Sequence, residues 1–246
     1  MRMIQYLNIP LQLIEVAARE KHLRQLKVLL AFKFAHGGQV RLQDVDWQQI
    51  GDVSGYSDVR TLRGHLEACM RLNWIGTDGQ WLFIRSFERL RESTGASSRA
   101  AVEITRKQVS EILEYALPAK IQSRARARRH ARKKAGAKPM PMEPYTSLDP
   151  AGCSPYFDQA VACSLIGQWY GISASSASRL KARAKKAGYT TYRHRWKKIG
   201  THRANFGPVA ESIDPERLTI KDGQVAIRLT DLFYPALFKF KTRAAL

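Results

Sequence analysis

Apolar residues fall into blocks of helical period, then a short block with a period of two, and that order recurs later in the chain. Residues 10–36 read as a helical region, with Pro10 suited to a first helical position. Leu23, Leu26, Val28, Leu29, Leu30, Phe32 and Phe34 are so dense that the second helix here is expected to be mostly buried, and Gly37-Gly38 ends it. Gln39–Leu42 is long enough for one small strand. Asp46 is placed to cap a short helix from Trp47 to Val53, with Gln49 in the capping-box position. After the turn Ser54-Gly55-Tyr56, Ser57 is expected to cap a helix reaching about Leu72, with Val59, Leu62, Leu66, Cys69 and Met70 as its apolar stripe. The period then changes. Trp74 to Arg85 alternates around Asp78-Gly79, which predicts a hairpin.

The middle of the chain reads differently. Residues 93–101 are expected to be a flexible linker. Thr105 and Gln108 form a second capping box, opening a helix with Val109, Ile112, Leu113 and Ala116 on one side. Pro118 is expected to kink or end it. From Lys120 to Lys138 there are nine Lys/Arg and no acid, with alanines between them that favour a helix. Lys138 to Pro144 reads as an extended hinge.

One eight-residue pattern occurs twice. Ile50-Gly51-Asp52-Val53-Ser54-Gly55-Tyr56-Ser57 and Ile166-Gly167-Gln168-Trp169-Tyr170-Gly171-Ile172-Ser173 both read I-G-x-x-x-G-x-S. The first glycine lets two helices cross closely. The second takes a left-handed conformation that ends one helix, and the serine caps the next. These are the parts of a helix-turn-helix, whose second helix enters the major groove of DNA. The second copy is expected to begin near Phe157, and a strand-like stretch, Tyr189 to Trp196, follows it. Lys221-Asp222-Gly223-Gln224 to Ile227-Arg228 then echoes the first hairpin, with about 28 residues inserted (49 from Ser173 to Asp222 against 21 from Ser57 to Asp78).

Charge sharpens this reading. The 246 residues carry a formal net charge of +20. Residues 1–95 are nearly balanced, with 13 basic against 10 acidic; residues 96–142 hold 12 against 3, and residues 143–246 hold 16 against 8. The middle and last parts therefore carry the electrostatic footprint of a nucleic-acid binder. The three cysteines, Cys69, Cys153 and Cys163, are odd in number and lack C-x-x-C spacing, so neither a disulfide framework nor a cysteine zinc site is expected. No apolar run reaches membrane-spanning length, and the first residues lack a signal peptide's apolar core. The expectation is a cytoplasmic, nucleoid-associated protein with reduced cysteines and no membrane partner.

In pattern and glycine/serine punctuation, residues 23–87 resemble a winged helix. The helix-turn-helix match in the second half covers about 20 residues, with Ile166, Gly167, Gly171, Ile172, Ala177 and Leu180 at the positions such families fill with core, small and glycine residues. The expected fold is mainly α with small β-hairpin wings (α+β): tandem winged helix-turn-helix domains joined by a basic helical linker. The boundaries are 1–92 for the first winged helix, 93–144 for the linker with its basic helix, and 145–246 for the second, winged-helix-like domain.

Candidate DNA contacts follow. In the second recognition helix Ala177, Leu180 and Ala184 mark the buried side, so Ser175, Ser178, Arg179, Arg183 and Lys186 face outward. Ser175 and Arg179 lie early enough to read base edges. Ser176 is one of the small residues that let the backbone approach the groove, while Arg183, Lys185 and Lys186 suit phosphates. The equivalent outward set in the first copy is Ser57, Arg60, Thr61, Gly64 and His65; a protein-contact role for this copy stays open. Arg124, Arg126, Arg128, Arg129 and Arg132 form a DNA-contacting arm, an RNA-binding helix or a solvated run. Arg193, His194, Arg195, Lys197 and Lys198 interleave with Tyr192 and Trp196, as in a wing lying along phosphates or around a small core.

Catalysis finds little support. There are no paired carboxylates for two-metal chemistry, no phosphate-binding G-x-x-x-x-G-K-[ST] loop and no ligand spacing among the six histidines. The expectation is therefore no enzyme, no cofactor and no metal. Two winged helices in one chain are similar in architecture to plasmid and phage replication initiators, which implies binding to origin repeats on double-stranded DNA and contact with the replication machinery. A transcription regulator with one DNA-binding and one dimerising domain, or an RNA-binding protein using the Arg-rich helix, are the alternatives.

Overall fold

The structure, a computed structural model, describes residues 4–98, 100–136, 159–200, 218–221 and 224–235. It is mainly helical, with small antiparallel sheets. Strand β1 (Leu7–Pro10) leads into α1 (Leu11–Arg19) and α2 (Leu23–His36). Short strand β2 (Gln39–Arg41) precedes α3 (Trp47–Ser54) and α4 (Val59–Arg71). Strands β3 (Ile75–Thr77) and β4 (Trp81–Ile84), helix α5 (Phe87–Ser93) and β5 (Ala101–Ile104) follow, then the long α6 (Ile112–Lys134). Beyond it lie β6 (Gln159–Ala160), α7 (Cys163–Tyr170), α8 (Ala174–Lys186), β7 (Thr190–Gly200), β8 (Leu218–Lys221) and β9 (Gln224–Pro235).

The expected hairpin forms β3 and β4, and β4 also pairs with β2, giving the order β2-β4-β3. Its turn closes because Asp78 Oδ1 accepts from the amides of Gln80 (3.0 Å) and Trp81 (2.7 Å), while Gly79 supplies φ +95°. In the last part β9 is the central strand. It pairs along its length with β7 on one side and with β6 and β8 on the other. Lys221 and Gln224 face each other across β8 and β9, and the Asp222-Gly223 pair read as that turn lies outside the described residues.

The two glycine-punctuated turns superpose in their chemistry. Gly55 (φ +82°) and Gly171 (φ +64°) end α3 and α7, and each amide donates to the carbonyl four residues back, on Gly51 and Gly167. The reason for those earlier glycines differs from helix crossing alone. A Cβ on Gly51 would lie 2.5 Å from the Tyr56 carbonyl oxygen, and one on Gly167 would lie 2.5 Å from that of Ile172. The turn folds back onto its own helix, and only a hydrogen atom fits between them.

Several expectations change. Asp58, not Ser57, caps α4: its carboxylate accepts from the amides of Arg60 (3.2 Å) and Thr61 (2.8 Å). The first copy has one more residue between glycine and helix than the second, where Ser173 does cap α8 and accepts from the Ser176 amide (3.2 Å). Val59, expected on the apolar stripe, is exposed, because it opens the helix before the core begins; Leu62, Leu66 and Cys69 are buried. The described residues of the 93–101 stretch are tied down. The Ser98 amide donates to Gln12 Oε1 (2.7 Å), the Leu11 amide donates to the Ala100 carbonyl (2.9 Å), and β5 pairs with β1. The Thr105–Gln108 capping box is present, but it opens a single 3-10 turn just before α6.

Pro118 does not end α6, which continues sixteen residues further, to Lys134. An interior proline costs about 3 kcal/mol. Here Ile112, Ala116, Leu117, Ala119, Ile121 and Ala125 are all buried, and full burial of a single large aliphatic side chain contributes roughly 1.5–3 kcal/mol. The helix read as a basic linker is therefore a core element over its first half. One hydrophobic core runs from Ile9 through α2, α4 and α6 to Leu180 and Ala184 of α8.

Candidate nucleic-acid interface

Helix α8 displays the face the sequence assigned to it. Ala177, Leu180 and Ala184 are buried, while Ser175, Ser178, Arg179, Lys185 and Lys186 are exposed. At its start three hydroxyls gather: Ser173 Oγ lies 3.0 Å from Ser175 Oγ and donates to Ser176 Oγ at 3.1 Å. Arg179 Nη2 donates to Ser176 Oγ (3.3 Å), which lays the exposed guanidinium along the first turns of the helix. The helix N-terminus, its hydroxyls and Arg179 thus form one donor-rich surface, matched to phosphate oxygens or base-edge acceptors.

Arg183 is exposed on the same helix, but it is engaged by α6. Its Nε donates to Glu114 Oε1 of α6 at 2.6 Å, and with Ser176, Arg179, Leu180, Leu113 and Ile172 it lines a groove of about 290 Å³ between α6 and α8. Tyr189, just past α8, donates its hydroxyl to Glu111 Oε2 (2.8 Å) and meets Tyr115 edge-on at 5.1 Å. Burial, then the Glu111 contact, pushes the Tyr189 hydroxyl up to about 12, so it remains a donor at neutral pH.

The first copy offers a different surface. Arg60, Gly64 and Ser57 are exposed on or beside α4. Thr61 spends its hydroxyl on Asp58 Oδ2 (2.6 Å). His65 is half-buried against Tyr56, with ring centroids 5.1 Å apart. Burial, then Arg24 nearby, lowers its pKa from the ordinary value, so at neutral pH it brings no positive charge to a phosphate. Arg63, absent from the sequence-derived set, is exposed and lies over the Trp47 ring at 5.4 Å. Periodicity alone could have found it, since it flanks the outward side of α4.

In the basic stretch of α6, Arg124 is half-buried and lies 5.6 Å from the Trp169 ring centroid, as does the Lys120 ammonium; Lys120 also pairs with Glu15 of α1 at 2.5 Å. Arg126, Arg128, Arg129 and Arg132 lie on the helical backbone further along, where Ala127, His130, Ala131 and Lys134 are exposed. Arg193, Arg195, Lys197 and Lys198 all fall on β7 opposite β9, and the side chains of these eight residues lie outside the described set. Glu111, Glu114, Trp169 and Tyr189 escaped sequence reasoning. The Glu114–Arg183 and Glu111–Tyr189 contacts join residues 69 and 78 positions apart, Trp169 meets Lys120 and Arg124 from about 45 to 50 positions away, and no local pattern announces such pairs.

Cys69 is buried and its thiol is pushed up to about 12 by that burial; Cys163 is half-buried, and both are free thiols. Cys153 and the hinge at 138–144 lie outside the described residues. Among the described residues no group of three or more His, Cys, Asp or Glu could hold a metal ion, and no helix is long and apolar enough to cross a membrane. No protein family, curated protein or solved structure matches the chain.

Proposed function

We propose that this chain is a sequence-specific double-stranded-DNA-binding protein with two winged-helix units, α2 to β4 and α7 to β9, acting as a replication initiator of the plasmid and phage type. The observation that carries the reading is the exposed face of α8 behind the Gly171 turn: Ser175, Ser178, Arg179 and Lys186 on a helix whose opposite side is core. The formal charge of +20 supplies the phosphate attraction such a helix needs. Ser175 and Arg179 read base edges. Lys185, Lys186 and the far half of α6 meet phosphates, and α4 with Arg60 and Arg63 is the second reading head. The initiator role rests on architecture, two heads in one chain.

The test is selection of random duplex DNA by the purified chain at two salt concentrations. A motif in two blocks is expected, with affinity falling steeply as salt rises. Repeats of that motif at an origin support initiation, and a palindrome before the protein's own gene supports the regulator. Arg179→Ala is expected to cost about 1–3 kcal/mol on the selected site and far less on random DNA. Salt-sensitive binding without a motif, or a preference for RNA, overturns the proposal.

A further inference from the structure

The second helix-turn-helix is held to the first unit from both sides. On one side α8 is tied to α6 through Arg183 and Glu114 (2.6 Å), and the residue after its closing turn, Tyr189, donates to Glu111 (2.8 Å). Glu114 is mostly shielded from solvent, at 14% side-chain exposure, while Arg183 keeps 59%. The turn that leads into α6 is anchored to the first unit, because Lys27 of α2 donates its ammonium to the Ser110 carbonyl. On the other side, Trp169 of α7 lies against Lys120 and Arg124 of α6, and Lys120 pairs with Glu15 of α1. The turn joining α7 and α8 presses on α1 as well: a Cβ on Gly171 would meet the Arg19 Cα at 3.0 Å.

Resting on the DNA-binding reading above, we infer that Glu111, Glu114, Arg183 and Tyr189 are positioning residues that fix α8 relative to α4, so that the protein accepts its two DNA blocks at one spacing only. Arg183 is then a strut. Its guanidinium is directed to a carboxylate on the neighbouring helix, whereas Arg179, one turn earlier, is directed to a hydroxyl on its own helix and stays exposed. Two heads on a flexible tether tolerate many spacings. Two heads on one core lose simultaneous engagement when the span is wrong, and with it an avidity gain of about 10²-fold or more.

The experiment is duplex selection with the full chain and with Glu114→Ala/Tyr189→Phe, reading the distance between the two enriched blocks. The wild type is expected to enrich one spacing over spacings two base pairs away by about 100-fold. The variant should enrich the same blocks with that preference below about tenfold, since neither changed residue touches a base. A general loss of structure would weaken the blocks instead of loosening their separation. If melting shows the double variant unfolded, Tyr189→Phe, which removes one hydroxyl, is read by the same profile. Several spacings for the wild type, or an unchanged single spacing for the folded variant, overturns the inference. Enrichment of one block only also overturns it but leaves DNA binding standing, and no enrichment of duplex removes both.

Discussion

In the first glycine-punctuated helix pair, α3 and α4 close onto α2, and β4 of the adjoining three-stranded sheet also contacts α2. In the second, α7 closes onto α1, which ends at Arg19, and α8 onto α6, which ends at Lys134, forty residues before α8 begins. Both turns end a helix on a positive-φ glycine and hold a carbonyl 2.5 Å from where a Cβ would sit on the glycine four residues earlier. What differs is the source of the apolar surface behind them. The first copy draws it from elements adjacent in sequence, the second from the far side of the chain. A short motif therefore dictates how a helix ends and turns back on itself but not the partner that buries it.

The largest effects should come from the shared feature. Gly51→Ala and Gly167→Ala each place a methyl against backbone that cannot move without undoing the turn, and each is expected to destabilise by roughly 3 kcal/mol or more despite alanine's better helix propensity. Urea denaturation of both variants tests this, and a wild-type midpoint in either shows that the turn relaxes. The next pair separates the copies. Gly55→Ala and Gly171→Ala both force a side chain into positive φ, at about 1–2 kcal/mol. Only at Gly171 is the nearest atom backbone, the Arg19 Cα at 3.0 Å, against the Ser110 Cβ at 3.3 Å for Gly55. Gly171→Ala should therefore unfold at lower urea than Gly55→Ala; the reverse order shows that α1 does not brace the second turn.

Smaller effects distinguish the caps. Ser173→Ala is expected to lower stability by about 1 kcal/mol. In the first copy Asp58→Ala should lower the thermal midpoint while Ser57→Ala leaves it in place, since the Arg60 and Thr61 amides both donate to Asp58. The opposite pattern returns the cap to Ser57. A test outside the turns concerns Lys33, a buried residue of α2 whose ammonium lies 4.7 Å from the Phe87 ring centroid and which burial lowers to about 8. Between pH 8 and about 10.5 the unfolded chain keeps a proton that the folded chain has released, so stability rises with pH across that window. Lys33→Met should flatten this rise in thermal melts at matched ionic strength, and an unchanged slope assigns it to another group.

Much was legible from local pattern. The short helix after Asp46, the hairpin at Asp78-Gly79 and both glycine-ended helices follow from spacing and turn chemistry that act within a few residues. So does the exposed face of α8, because a helix with Ala177, Leu180 and Ala184 on one side must turn Ser175 and Arg179 to the other. Even there, locality reached its limit at Ser57: the pattern matched, but one extra residue moved the cap to Asp58.

Tertiary structure decided the rest. A proline reads as a stop and a run of arginines as a solvated arm, and both readings are sound for an isolated helix. In this fold the apolar face from Ile112 to Ala125 is buried, with α6 packed against α1, α8 and β9, and that burial outweighs the hydrogen bond lost at Pro118. Arg183 shows the same division. Its helix, its charge and its outward side were legible from sequence. Whether it meets a phosphate or a carboxylate depended on Glu114, 69 residues away, because ion pairing acts through space and leaves no trace in spacing.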